Sequence, residues 1–240
     1  MASNLIALSF DAHDSHGLAS FWAGVLGRKL VEDPDGVFVL PPTREPEFRI
    51  EFAQSDAPKR KPNQMHFELT STSYDDQQET VQRALSLGGR HIDIGQLPEE
   101  EHVVLADPEG NEFCVIPPGN SFLANTGVIG ALAGDGTQTV GYFWNKALSW
   151  PLVWDQNDET AMQSPLGGTK VSWGGPPVEA KLGKNRLHFD IAPPPDGDQP
   201  DEVDRLVSLG ATRLDIGQGD VSWVVMADPD GNEFCVLTPR

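Results

Sequence analysis

ADPEGNEFCVIPP, from Ala106 to Pro118, decides the fold because the chain contains it twice. The second copy, ADPDGNEFCVLTP, runs from Ala227 to Pro239, and ten of the thirteen positions are identical. Two long matches of this kind in one chain indicate an internal duplication. We therefore expect the rest of the chain to be duplicated as well.

Three further pairs of segments match in the same order. They are SLGGRHIDIGQ (86–96) with SLGATRLDIGQ (208–218), KPNQMHFEL (61–69) with GKNRLHFDI (183–191), and ASFWAGVLG (19–27) with GYFWNKALS (141–149). The second pair places His66 opposite His188, 122 residues later. We predict two copies of a unit of about 115–120 residues, an ordinary domain size. The units would span residues 1–119 and 127–240, with 120–126 as the linker.

Composition and charge exclude several classes of partner. The formal net charge is −19 and the isoelectric point is near 4.5, which argues against nucleic acids and anionic membrane surfaces. The chain has neither an apolar run of about 18 residues nor a basic amino-terminal signal segment, so we expect a cytoplasmic protein. Cys114 and Cys235 occupy equivalent positions, and we expect each to be a reduced, buried residue on an inner strand of its own unit.

Periodicity predicts the elements of each unit. Ile6, Leu8 and Phe10 alternate with small or polar residues, as in a half-buried strand. The spacing from Leu18 to Val25 predicts a helix that ends at Gly27. The same order of elements recurs four times, so each unit is two β-α-β-β-β modules. This pattern predicts an α+β fold with a curved, half-open, mostly antiparallel barrel in each unit.

Helices would cover one face of each sheet, so the polar alternates should line the other, concave face. A concave polar face is a natural pocket for a small molecule. In the first unit the candidate ligand-binding side chains are Asp11, Arg49, Glu51, His66, Glu68, Glu112 and Cys114. In the second unit they are Lys170, Ser172, Arg186, His188, Asp190, Glu233 and Cys235. Arg49, Lys170 and Arg186 are notable in so acidic a chain, and they favour an anionic ligand.

Paired modules, a histidine on the fifth strand and DPxGN before the last strand resemble the vicinal oxygen chelate superfamily, which includes glyoxalase I, bleomycin-resistance proteins and extradiol dioxygenases. FWAGVLG, KNRLHFD (184–190), LGATRLD and ADPDGNEFCV are similar, more narrowly, to the tandem glyoxalase-like domains common in actinobacteria. The resemblance covers both units.

The resemblance implies a divalent metal held by His, Gln or Glu side chains from strands one, four, five and eight. In the first unit those positions offer Glu51, His66 and Cys114, which could hold zinc, nickel, manganese or iron. In the second unit, strand four offers only Ser172. Cysteine stands on strand eight where a glutamate is usual, so the set is incomplete and the glyoxalase I reaction itself is disfavoured.

Two classes of function follow. The first is a small-molecule-binding protein with its ligand in the concave cavity. The second is a lyase, isomerase or dioxygenase-type enzyme, either metal-dependent in the first unit or metal-free. In the metal-free form, His66 or His188 would be the general base, oriented by Glu51 or Asp190. The second unit could also be degenerate and purely structural. A monomer and a homodimer both remain open.

Overall fold

A computed structural model describes residues 2–44, 46–97 and 99–240. The described residues form a mixed α+β structure with sixteen strands and four helices. The strands of the first repeat are β1 (Asn4–Ala12), β2 (Val31–Glu32), β3 (Phe38–Leu40), β4 (Arg49–Gln54), β5 (Met65–Leu69), β6 (Arg90–His91), β7 (Val103–Ala106) and β8 (Glu112–Val115). Those of the second repeat are β9 (Ile129–Gly134), β10 (Leu152–Gln156), β11 (Glu159–Ser164), β12 (Gly167–Trp173), β13 (Leu187–Ala192), β14 (Thr212–Arg213), β15 (Val224–Ala227) and β16 (Glu233–Val236). The helices are α1 (Ser15–Leu26), α2 (Tyr74–Ser86), α3 (Gln138–Leu148) and α4 (Gln199–Ser208).

The strands make two curved, eight-stranded sheets, and each sheet combines strands from both repeats. The first sheet has the order β14-β15-β16-β13-β1-β4-β3-β2, and the second has β10-β11-β12-β9-β5-β8-β7-β6. The repeats join where β1 pairs antiparallel with β13 and where β5 pairs antiparallel with β9. Neither sheet closes into a barrel. A concave face therefore belongs to a sheet that both repeats build, whereas the sequence led us to expect one concave face within each repeat.

Local signals place the helices as predicted. The Asp14 side chain accepts a hydrogen bond from the Gly17 amide at the start of α1, and Gly27 ends that helix in the left-handed conformation at φ 65°. Ser73 and Asp198 cap α2 and α4 in the same way. No helix among the described residues is both long and apolar enough to cross a membrane.

The sequence pattern did not predict β11. β11 forms a hairpin with β10, and the turn between them places Asn157 and Asp158 at φ 54° and 64°. Asparagine and aspartate tolerate this region, so a tight two-residue turn forms without glycine.

The apolar alternates of both sheets meet in one continuous core with the helices. Trp22 of α1 packs on Phe67 and Phe113 with ring centroids 5.1 and 5.0 Å apart. Trp144 of α3 makes the equivalent contacts with Phe189 and Phe234. The helix of one module therefore packs on the other module of the same repeat, while the strands pair across repeats.

The duplicated DPxGN motif links helices α1 and α3 to the last hairpin of their own repeats. Buried Asp107 accepts hydrogen bonds from Trp22 Nε1 and from the backbone and side-chain N–H groups of Asn111, and Asp228 does the same with Trp144 and Asn232. Burial raises the pKa of both carboxyls to about 6, against those hydrogen bonds. The motif therefore connects the helix of one module to the hairpin of the other through buried hydrogen bonds.

Candidate functional site

The polar face of the first sheet brings together side chains from both repeats. Ser9 on β1 lies opposite His188 on β13 and opposite Glu51 on β4. Asp190, two residues beyond His188, lies opposite Cys235 on β16. Partners in register point to the same side of a sheet. We call the face formed by Ser9, Glu51, His188, Asp190 and Cys235 the first hollow.

Three potential metal ligands converge in the first hollow. One donor atom each from His188, Asp190 and Cys235 lies within 4.8 Å of the other two. His188 Nε2 is 3.5 Å from Asp190 Oδ1, and the two side chains are only 11% and 10% exposed. The Ser9 hydroxyl donates to the other Asp190 oxygen. His188 Nδ1 is buried and has no hydrogen-bond partner among the described residues.

Burial favours the neutral forms of Cys235 and Glu51 in this hollow. Burial raises the pKa of the Cys235 thiol, and the neighbouring Asp190 carboxylate adds to the effect. Burial also raises the pKa of Glu51, against the charge of Arg49, whose Nε lies 2.7 Å from the Glu51 carboxylate. Arg49 also binds Asp33 at 3.0 Å. The Arg49 guanidinium is therefore already engaged by two carboxylates.

The second sheet carries the equivalent face. His66 lies opposite Ala133, and Glu68 lies opposite both Ala131 and Cys114. Lys170 and Ser172 follow on β12, opposite Ala131 and Ala133. We call this face the second hollow. It contains a cavity of about 360 Å³ lined by His66, Glu68, Ile94, Gly95, Gln96, Glu100, His102, Cys114 and Ile116.

Two linker residues pack against the second hollow. Leu123 is buried with Cys114, Ile116 and Ala131, and Phe122 packs against this group. Lys170 Nζ lies 4.5 Å from the centre of the Phe122 ring and also donates to the Phe122 carbonyl. Burial lowers the pKa of Lys170. The ammonium is therefore held by the linker rather than turned to the cavity.

Titratable groups of the second hollow are also shifted by burial. Burial lowers the pKa of His66, with Glu112 opposing and His102 adding to the shift. Burial raises the pKa of Glu68. It raises the pKa of Cys114 to about 12, with smaller contributions from Glu68 and Glu100.

The remaining predicted residues lie in ion pairs beside the hollows. Glu112 binds Lys59 at 2.6 Å, and Glu233 binds Lys181 at 2.6 Å in the equivalent place. Arg186 pairs with Glu109. Asp11 pairs with Lys184 at 2.5 Å. Because Arg49, Lys170 and Arg186 all have partners within the protein, the geometry gives little support to the anionic ligand that we inferred from them.

The predicted metal set of Glu51, His66 and Cys114 is not brought together. Glu51 lies on the first sheet, whereas His66 and Cys114 lie on the second. The sequence placed them together because we paired the modules within a repeat. Pairing across repeats instead places Glu51 on the same face as His188, Asp190 and Cys235.

Sequence reasoning missed the residues that cover the second hollow. Ile94 and Gln96 belong to the duplicated DIGQ turn, in which the Ile94 amide donates to Gln96 Oε1 and the Gly95 amide donates to Asp93, each at 2.8 Å. The repetition of DIGQ was a signal that this turn has a fixed shape. Phe122 and Leu123 in a short linker were a second signal, since exposed loops seldom carry adjacent large apolar residues.

Comparison with known proteins agrees with this architecture. The chain matches the family described as Glyoxalase-like domain over residues 7–116 and 131–237. Glyoxalase I from Zea mays has 15% sequence identity and a TM-score of 0.66, over 99% of this chain and 92% of that one. A candidate dioxygenase from Bacillus subtilis has 15% identity and a TM-score of 0.62, over 98% and 84% of the two chains. No curated protein matches. Identities this low show a shared fold alone, but the family match extends over most of both repeats. The chain belongs to the glyoxalase-like domain family, within the vicinal oxygen chelate superfamily.

Proposed function

We propose that the protein binds a small molecule in the first hollow, and that His188, Asp190 and Cys235 hold a divalent metal ion there. The observation that carries the proposal is the convergence of their donor atoms within 4.8 Å on two adjacent strands. Membership of the glyoxalase-like family supports a small molecule as the ligand. Because the same fold serves binders and enzymes, the residues of the site have to decide the chemistry.

The donor set fits zinc better than a hard cation. It combines an imidazole nitrogen, a carboxylate oxygen and a thiol sulfur, which are the ligand types that zinc takes in proteins. The Ser9 hydroxyl would orient Asp190 through its hydrogen bond, and His188 Nδ1, which has no partner among the described residues, could bind the metal. A metal bound there would act as a Lewis acid toward oxygen atoms of the ligand.

The protein's own groups set the conditions for binding. Cys235 must lose its proton to bind a metal, and burial raises the pKa of that thiol. Metal affinity should therefore increase with pH. Glu51 faces the cluster across Ser9, but Arg49 holds its carboxylate. We assign Glu51 to positioning Arg49 and the ligand rather than to the metal.

Thermal unfolding tests the metal. Protein stripped with EDTA would be titrated with zinc, nickel, manganese and iron(II) salts in turn. A metal at 100 times its Kd stabilises a protein by about 2.7 kcal/mol, or roughly 5–10 °C in Tm for a chain of this length. H188A and C235A should lose the shift. H66A and C114A remove the same residue types from the second hollow and should keep it. No shift with any metal, or equal losses in the control pair, would refute the proposal.

A metal-free enzyme is the second candidate. Asp190 Oδ1 lies 3.5 Å from His188 Nε2, while Nδ1 of the same imidazole has no partner within the described chain. Asp190 would orient the imidazole, and Nδ1 would accept a proton from the bound molecule. A metabolite found by screening would then be turned over in EDTA, and H188Q would abolish turnover while leaving binding nearly unchanged. Turnover that depends on added metal would exclude this candidate.

A further inference from the structure

Glu68 is an acidic group without a counter-charge. It is the fourth of the five residues of β5 and is half-buried, and its carboxylate makes neither an ion pair nor a hydrogen bond with any described residue. Burial is the cause of its raised pKa. An ionised carboxylate that is partly buried without a partner destabilises the folded protein unless a hydrogen-bond donor or a cation is supplied.

The equivalent residue of the other sheet shows what is missing. Asp190 accepts a hydrogen bond from Ser9 and lies beside His188. At the register position of Ser9 the second sheet has Ala133, opposite His66. The hydroxyl that satisfies Asp190 therefore has no counterpart near Glu68.

The nearby basic side chain does not compensate. Lys170 shares the face with Glu68, since both are register partners of Ala131. Its ammonium is bound to the Phe122 carbonyl and lies over the Phe122 ring. The linker thus removes from the second hollow the cation that could have neutralised Glu68.

The cavity beside Glu68 has the size and chemistry of a ligand pocket. Its volume of about 360 Å³ is at the small end of the range for small-molecule sites. Glu68 and Glu100 supply negative charge, and no lysine or arginine is among its described lining residues. Ile94 and Ile116 supply apolar walls. His66 is kept neutral by burial, which lowers its pKa.

We propose that this cavity is a second binding site, for a small organic cation: an amine, amidine or guanidine joined to an apolar body. Glu68 accepts the cationic head in a charge-assisted hydrogen bond, with Glu100 adding to the negative potential. Ile94, on the DIGQ turn, covers the apolar part. The site is independent of the metal site proposed for the first hollow.

NMR titration of the intact protein at neutral pH in EDTA tests this site with three probes of one shape. 2-Phenylethylammonium should saturate, shifting the amides of β5 and of residues 93–96. 2-Phenylethanol and phenylacetate, neutral and anionic, should bind at least about tenfold more weakly. Equal binding of the three probes, or shifts confined to the first hollow, would overturn the proposal.

Two variants locate the cation. E68Q keeps the shape and removes the charge, so the ammonium probe should bind about tenfold more weakly. D190N is the matched change in the first hollow and should leave its affinity unchanged. Ile94 is exposed, so I94W should fold and should narrow the cavity mouth, which should also weaken binding. Unchanged affinity in both E68Q and I94W, or loss in D190N alone, would refute the site.

Discussion

The two cysteines should be almost inert in the folded protein, although neither is in a disulfide. Alkylation requires the thiolate. Burial raises the pKa of Cys114 to about 12, so at pH 8 only about one molecule in ten thousand carries that thiolate. An unperturbed thiol, with a pKa near 8.5, is about one-quarter ionised at the same pH. The structure therefore predicts a native alkylation rate roughly two thousand times slower than in the unfolded chain.

Cys235 should react more slowly still, because the Asp190 carboxylate adds to the effect of burial on its pKa. The side chains are also shielded, with Cys114 6% and Cys235 8% exposed. Metal-free protein would be treated with iodoacetamide at pH 8 to 10, in buffer and in guanidinium chloride, and each cysteine followed by mass spectrometry. C114S and C235S isolate the two rates.

The native rate should increase about tenfold for each pH unit, because the thiolate fraction does. A native rate within tenfold of the unfolded rate for either thiol would show that its surroundings are not those described. A rate independent of pH would show instead that local opening, not ionisation, controls access.

Three further predictions concern stability, each measured by urea denaturation. E109A should cost about 3–5 kcal/mol, because it leaves Arg186, 5% exposed, as a buried charge without its partner. Asp230 occupies the same turn position and binds only the start of α3, so D230A should cost about 1 kcal/mol; equal losses would contradict the role of the ion pair. W22F should cost about 1–3 kcal/mol, because it removes the Nε1 donor from the buried carboxylate of Asp107. An unchanged midpoint of urea unfolding would contradict the contribution of this hydrogen bond to stability. Glu68 has a raised pKa, so the folded state binds its proton more tightly, and the stability this gives at acid pH is lost as the pH rises through that pKa. The free energy of unfolding of E68Q should therefore match that of the wild type near pH 4 and exceed it at pH 7. An E68Q variant less stable than the wild type at pH 7 would contradict the raised pKa.

Sequence patterns were sufficient for the parts of the fold that local chemistry determines. The alternation of buried and half-buried residues on β4, β5 and β12 follows the polar and apolar alternation of the sequence. Gly27 ends α1 because only a residue that tolerates positive φ fits there. Each of these features depends on a few neighbouring residues, and the duplication displays them twice.

The partner of each module could not be predicted in this way. β1 pairs with β13 of the other repeat. The alternation of β1 would place the same residues on the polar face if it paired instead with β5 of its own repeat, so the pattern does not identify the partner. Both repeats carry a histidine, an acidic residue and a cysteine at matching positions, so exchanging them leaves every local rule satisfied. The repeats differ at strand four, where the first has Glu51 and the second has Ser172. The pairing of modules therefore decides which histidine shares a face with Glu51.

Pairing across repeats leads to a last prediction, on the separated halves. Residues 1–126 expressed alone would expose one edge of β1 and one edge of β5, which pair with β13 and β9 in the whole chain. Unpaired inner strands are unstable or associate with other edges. Fragments 1–126 and 127–240 should therefore be aggregated or dimeric alone, and mixing them should give one complex with the size and cooperative unfolding of the intact protein. Sedimentation and thermal unfolding would measure both properties. A monomeric fragment 1–126 that unfolds cooperatively would mean that one repeat completes its own sheet, and the first hollow as described would not exist.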